Sequence, residues 1–138
     1  MVERFEDLRV YQQAFSLSMR VFDLTLRWPP EEIYSLTSQI RRSSRSVCAN
    51  VAEAWRKRRY VAHFVSKLSD ADAEAAETQN WLNFAKGHRY ISEQEYDELY
   101  AEYDTVIGGL VRMMSKPDGW CGPSNTVKEE QSEYEVGE

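Results

Sequence analysis

Proline and glycine are scarce in this chain, with 4 and 6 among 138 residues, and two of the prolines and three of the glycines fall after residue 116. So few turn formers argue against a many-stranded sheet and for long helices. No run of about 18 apolar residues is present, so no membrane span is expected. The opening Met1-Val-Glu-Arg-Phe-Glu-Asp7 has no basic stretch followed by an apolar block, so no secretory leader is expected. Cysteine is limited to Cys48 and Cys121, far apart and without metal-ligand spacing. Two isolated thiols suggest a reducing compartment, and a cytoplasmic location is the expectation. His63 and His88 stand alone, and no Glu-x-x-His repeat is present, so no metal site is expected. Nucleophile elbow, Walker loop and Gly-x-Gly-x-x-Gly are all missing, so the chain is expected to be neither an enzyme nor a cofactor binder.

What is abundant is charge, and it is segregated. The net charge is −6, yet residues 41–67 carry eight basic groups and one acid, Glu53. Acids outnumber bases ten to four over residues 68–116 and six to one over residues 117–138. The basic segment, not the overall acidity, carries the information about partners.

Apolar spacing defines four helices. The first runs from Leu8 to Leu26 and carries two apolar stripes. One is Leu8, Tyr11, Phe15, Phe22 and Leu26; the other is Val10, Ala14, Leu17, Val21 and Leu24. Together they cover roughly 200° of the helix, about twice the stripe of an ordinary surface helix. One side is therefore expected to meet the bundle and the other a second subunit, with Val10, Ala14, Leu17, Val21 and Leu24 as the oligomer interface.

Trp28-Pro29-Pro30 stops the first helix, and Pro30-Glu31-Glu32 suits the start of the second. That helix is expected to reach Arg58, with a seam of Ile33, Leu36, Ile40, Ser44, Val47, Val51 and Trp55 and small residues that permit close packing. The third, from Tyr60 to Lys86, has a heptad seam from Val61 through Phe64, Leu68, Ala71, Ala75, Thr78 and Leu82 to Ala85, which favours left-handed packing. Gly87-His88-Arg89 is expected to close it. Ser92-Glu93-Gln94-Glu95 reads as a capping box, stapled by Ile91 and Tyr96, and opens the fourth helix. Gly108-Gly109 inside that helix costs roughly 1 kcal/mol per glycine, which close packing against another helix would justify. The domain is expected to span residues 1–116. Residues 117–138, turn-rich and then acidic, read as a disordered tail.

The candidate functional surface is Arg41, Arg42, Arg45, Arg56, Lys57, Arg58 and Arg59. Clustered cations suit nucleic-acid phosphate, because binding releases condensed counterions. The competing possibility is that these residues pair with Asp70, Asp72, Glu74 and Glu77 of the third helix. Asp72 and Gln79, beside the third seam, are read as buried hydrogen-bonding partners of Ser43, Ser44 or Arg42. Cys48 lies near arginines that would lower a thiol pKa, but a packed core thiol is the simpler expectation.

Several segments, in order, resemble one family. They are Phe5-Glu-Asp-Leu-Arg-Val-Tyr-Gln12, Trp28-Pro-Pro-Glu-Glu-Ile-Tyr-Ser-Leu-Thr-Ser-Gln-Ile-Arg-Arg-Ser-Ser44, Val47-Cys-Ala-Asn-Val-Ala-Glu53, Glu77-Thr-Gln-Asn-Trp-Leu-Asn-Phe-Ala85 and Tyr90-Ile91. Over residues 5–115 the chain resembles the 23S rRNA intervening-sequence protein family, to which the accessory variability protein of diversity-generating retroelements is related. Cys48 and Ala54 stand where the usual family form has proline and glycine. The resemblance implies an all-α, antiparallel up-down-up-down four-helix bundle that assembles as a ring, a homopentamer. The expectation is therefore a non-enzymatic homo-oligomer that binds RNA or DNA weakly through its basic second helix. The alternative is a protein-interaction scaffold without nucleic-acid binding.

Overall fold

The computed structural model describes residues 1–122. Four main helices pack against one another, and no strand occurs among the described residues. They are α1 (Arg9–Thr25), α2 (Leu36–Arg56), α3 (Val61–Gly87) and α4 (Glu93–Ser115). Short 3-10 turns, Phe5–Asp7 and Pro30–Glu32, precede α1 and α2, and a single turn, α5 (Asp118–Cys121), follows α4. Each main helix packs on its neighbours in the cyclic order α1, α2, α3, α4, most extensively between α2 and α3.

The heptad seams of α3 and α4 lie in the core, together with buried residues of α1 and α2. Phe64, Leu68, Ala71, Ala75, Thr78, Leu82 and Ala85 are buried along α3, and Leu99, Tyr103, Val106, Leu110 and Met113 along α4. The α2 seam is buried from Leu36 to Trp55, but Ile33 is exposed. The reason is local: Pro30–Glu32 forms only a 3-10 turn, and α2 starts at Leu36, not at Pro30. There the Glu32 carboxylate accepts the Leu36 backbone N–H at 3.3 Å and the Tyr90 hydroxyl at 2.8 Å. The second of these bonds is the main reason the Glu32 carboxyl lies below its ordinary range.

Buried hydroxyls join the helices where small residues let them approach. Ser18 and Ser44 stand 3.0 Å apart between α1 and α2, and Ser43 and Thr78 stand 2.8 Å apart between α2 and α3. Gln79 is not a partner of α2. Its amide donates to the Tyr100 carbonyl at 3.2 Å and to Asp104 Oδ1 at 2.9 Å, both on α4. Asp72 is half-buried about two turns earlier and makes no bond to Ser43, Ser44 or Arg42. On α3 it is Thr78, one residue before Gln79, that points at α2.

Gly87 is helical, and the left-handed residue ending α3 is Arg89, at φ 63°. The turn closes by bonds from Arg89 N–H to the Lys86 carbonyl and from Tyr90 N–H to the Ala85 carbonyl. The α4 capping box forms as its sequence requires: Ser92 Oγ accepts the Glu95 N–H at 3.0 Å, and Glu95 Oε1 accepts the Ser92 N–H at 2.9 Å. That backbone bond, reinforced by Arg27, holds the Glu95 carboxyl below its ordinary range. Its contribution is complete above the ordinary carboxylate pKa and is lost as the pH falls through the lowered folded value. Ser92→Ala is expected to cost about 1 kcal/mol at neutral pH. In Glu95→Gln, urea unfolding is expected to show a shallower loss of stability under acid than in the parent; an identical acid limb would remove this role from Glu95.

The paired glycines of α4 are not equivalent. A Cβ at Gly109 would lie 2.6 Å from Val10 Cγ1 of α1, so only glycine lets α1 and α4 approach there. A Cβ at Gly108 meets only the Arg112 guanidinium, at 3.5 Å, an ordinary contact. Gly108→Ala is therefore expected to raise stability by about 1 kcal/mol. Gly109→Ala is expected to lose about 1–3 kcal/mol through overpacking, despite the same propensity gain. Thermal unfolding of the two variants, moving the midpoint in opposite directions, checks the pair.

The described structure continues past residue 116 with α5. Trp120 packs edge-on to Trp55, with ring centroids 6.4 Å apart, and Cys121 is buried. This turn of helix seats one large side chain, Trp120, and one small one, Cys121, on the bundle. The remainder of the expected tail, residues 123–138, lies outside the described residues.

Candidate nucleic-acid and self-association surfaces

The seven basic residues nominated from sequence form no single patch. At 1.5 Å rise per residue, Arg41 and Arg56 stand about 22 Å apart along α2. Three environments result. Arg42 is neutralised, bonding Glu74 at 3.1 Å and also Glu77, both on α3. Arg41 lies over the Phe22 ring of α1, 4.4 Å from its centroid, and its Nε donates to Thr25 Oγ1 at 2.9 Å. Arg45 flanks the same ring at 5.9 Å.

The last four occupy the end of α2 and the α2–α3 turn that follows it. Arg58 is folded back on α2, its guanidinium 3.8 Å from the Trp55 ring and donating to the Trp55 carbonyl at 2.6 Å. Arg59 rests at 5.7 Å over Tyr60. Arg56, Lys57 and Arg59 are exposed and form no ion pair among the described residues. The acids of α3 that compete for cations sit elsewhere. Glu74 and Glu77 hold Arg42, and Asp70 lies beside Lys67, whose ammonium also approaches Glu53 of α2.

The α1 stripe nominated as an oligomer interface is corrected. Val10, Ala14, Leu17 and Val21 are buried within the chain itself, and Leu24 is half-buried. Val10 of the stripe meets α4 at Gly109, and Ser18, next to the stripe, meets Ser44 of α2. The uncovered side is the other one. Phe15 is 50% exposed, Met19 52% and Leu26 65%. Phe5, Tyr11 and Phe15 form an aromatic row, with centroid separations of 5.1 and 6.1 Å, and Phe22 continues it under Arg41. Periodicity shows how wide an apolar surface is, but not which half the companion helices cover.

The Cys48 thiol is pushed up to about 11 by burial, so it is protonated at neutral pH, and the neighbouring arginines do not activate it. No helix of the described residues is long and apolar enough to cross a membrane.

These features define a class: a helical bundle with a polar-bonded core, a cationic turn and one uncovered apolar helix face. The chain belongs to the 23S rRNA-intervening sequence protein family, whose model matches residues 6–112. Among solved structures it is similar to a protein of unknown function from the S23 ribosomal protein family of Bacteroides thetaiotaomicron VPI-5482. The two are 26% identical, with a TM-score of 0.69, and the match covers 77% of this chain and 95% of the other. Comparison with curated proteins gives no significant match.

Proposed function

We propose that this protein is a non-enzymatic, self-associating bundle that binds nucleic-acid phosphate through the α2–α3 turn. The observation that carries the reading is the contrast within one helix. Arg42 is spent on two carboxylates, while Arg56, Lys57 and Arg59 stand in solvent without an ion pair among the described residues. Cations left unpaired in an acidic chain are available for counterion-releasing contacts.

Self-association rests on the α1 face, where Phe15, Met19 and Leu26 line one side of a single helix beside a row of rings. Contiguous apolar surface of this kind marks an interaction site. An up-down-up-down arrangement is supported by pairings such as Arg20 with Glu98 and Glu102, Arg27 with Glu95, and Val10 against Gly109. A closed ring of identical copies is the assembly proposed, each placing its α2–α3 turn on a common surface where avidity multiplies weak contacts.

Two measurements on the full chain test the reading. Fluorescence anisotropy with labelled RNA is expected to show binding that weakens steeply with added salt; no binding at low salt removes the nucleic-acid role. Sedimentation velocity at micromolar concentration is expected to show a species well above the 16.1 kDa protomer; a stable protomer removes the assembly.

A further inference from the structure

The cations of the α2–α3 turn are not the only ones without an ion pair among the described residues. Between the start of α1 and the end of α4 lies a groove of about 330 Å³. Its floor is apolar, formed by Leu8, Val10, Gly109 and Met113. Its rim holds three cations, Arg9, Arg112 and Lys116, and no carboxylate lines it. None of the three forms an ion pair among the described residues. The nearby N-terminal acids are engaged: Asp7 accepts two backbone N–H groups at 3.1 Å, and Glu6 holds Arg4 at 2.7 Å. A larger depression along α1 and α4, about 450 Å³, lacks this character, because its Arg20 already bonds Glu98 and Glu102.

Trp120 closes one side of the small groove. The ring is half-buried and meets Trp55 edge-on, and Trp55 carries the Arg58 guanidinium on its other contact. Contacts between side chains, Trp120 to Trp55 and Trp55 to Arg58, thus link the groove wall to the α2–α3 turn. Lys116 and Trp120 lie beyond the family-matched residues 6–112, so half of this site's chemistry belongs to the segment that follows the match.

We infer that this groove seats one base of a single-stranded nucleic acid, the base against Trp120 and the apolar floor, its flanking phosphates on Arg9, Arg112 and Lys116. The inference rests on the nucleic-acid reading above and specifies its substrate class. A duplex keeps its bases paired and stacked inside, and only a single strand presents an aromatic face and a phosphate to one small depression. Three clustered cations above an apolar floor match the two halves of a nucleotide.

The test uses full-length protein and fluorescence anisotropy with three probes: oligouridylate, oligoadenylate and an RNA duplex of the same length. Single strands are expected to bind about tenfold or more tightly than duplex. Trp120→Ala is expected to weaken single-strand binding by about ten- to a hundredfold and duplex binding by less than about twofold. Arg112→Ala with Lys116→Ala, both exposed and outside the core, is expected to flatten the single-strand salt dependence by about 1.4 in log–log slope. This second variant decides the matter if Trp120→Ala unfolds, which its helical circular dichroism would reveal. Wild-type affinities for both variants, with binding still lost on replacing Arg56, Lys57 and Arg59, would overturn the groove and leave the proposed function standing. Absence of any RNA binding by the parent would overturn both.

Discussion

Replacing Arg56, Lys57 and Arg59 together by glutamate is expected to lower RNA affinity by at least about a hundredfold at low salt. Each phosphate contact on a single strand contributes about 0.7 to the salt slope, so losing three lowers it by about 2. Reversal of sign adds repulsion to that loss. The three side chains are exposed, so stability is expected to move by no more than about 0.5 kcal/mol each. Arg42→Ala is the control. Its charge already serves Glu74 and Glu77, so RNA affinity is expected to change less than about twofold while the α2–α3 contact loses its bridge. Equal losses in the two variants would show that general charge, not the turn, governs binding.

Sedimentation of Phe15→Glu with Met19→Glu is expected to show the protomer alone at concentrations where the parent is assembled. Both positions are about half exposed in the single chain, so the substitution costs the protomer little. In an interface each carboxylate would be desolvated without a partner, at a cost of several kcal/mol. Two such costs raise the dissociation constant by about a thousandfold or more. Val111, exposed on α4 and apart from the α1 row, provides the contrast: Val111→Glu is expected to leave the assembly unchanged. Disruption by Val111→Glu and not by the α1 pair would move the interface to α4.

Both results depend on distinctions that are absent from any linear pattern. Arg42 and Arg45 are one helical turn apart and identical in chemistry. Yet the first meets two carboxylates that lie 32 and 35 residues away, and the second flanks an aromatic ring on α1. Charge composition cannot separate them, because pairing is decided by helix rotation and the length of the opposing side chain. Thr78 and Gln79 show the same limit. Thr78 lies in the α3 seam and Gln79 beside it, and a rotation of one residue sends the first toward α2 and the second toward α4. The start of α2 failed for a different reason. Proline and two acids are acceptable in either a 3-10 turn or an α-helix, and Glu32 is held by Leu36 and Tyr90, the latter unforeseeable from local sequence.

By itself the sequence determined the number of helices, the seams of α3 and α4 and the start of α4. These follow from a 3.6-residue period and a four-residue capping motif, properties that a segment carries without reference to its neighbours. Tertiary structure alone decided which half of α1 is covered, which arginines remain available and that Trp120 closes a groove over Gly109. Each of those is a distance between residues remote in the chain, and only packing sets such distances.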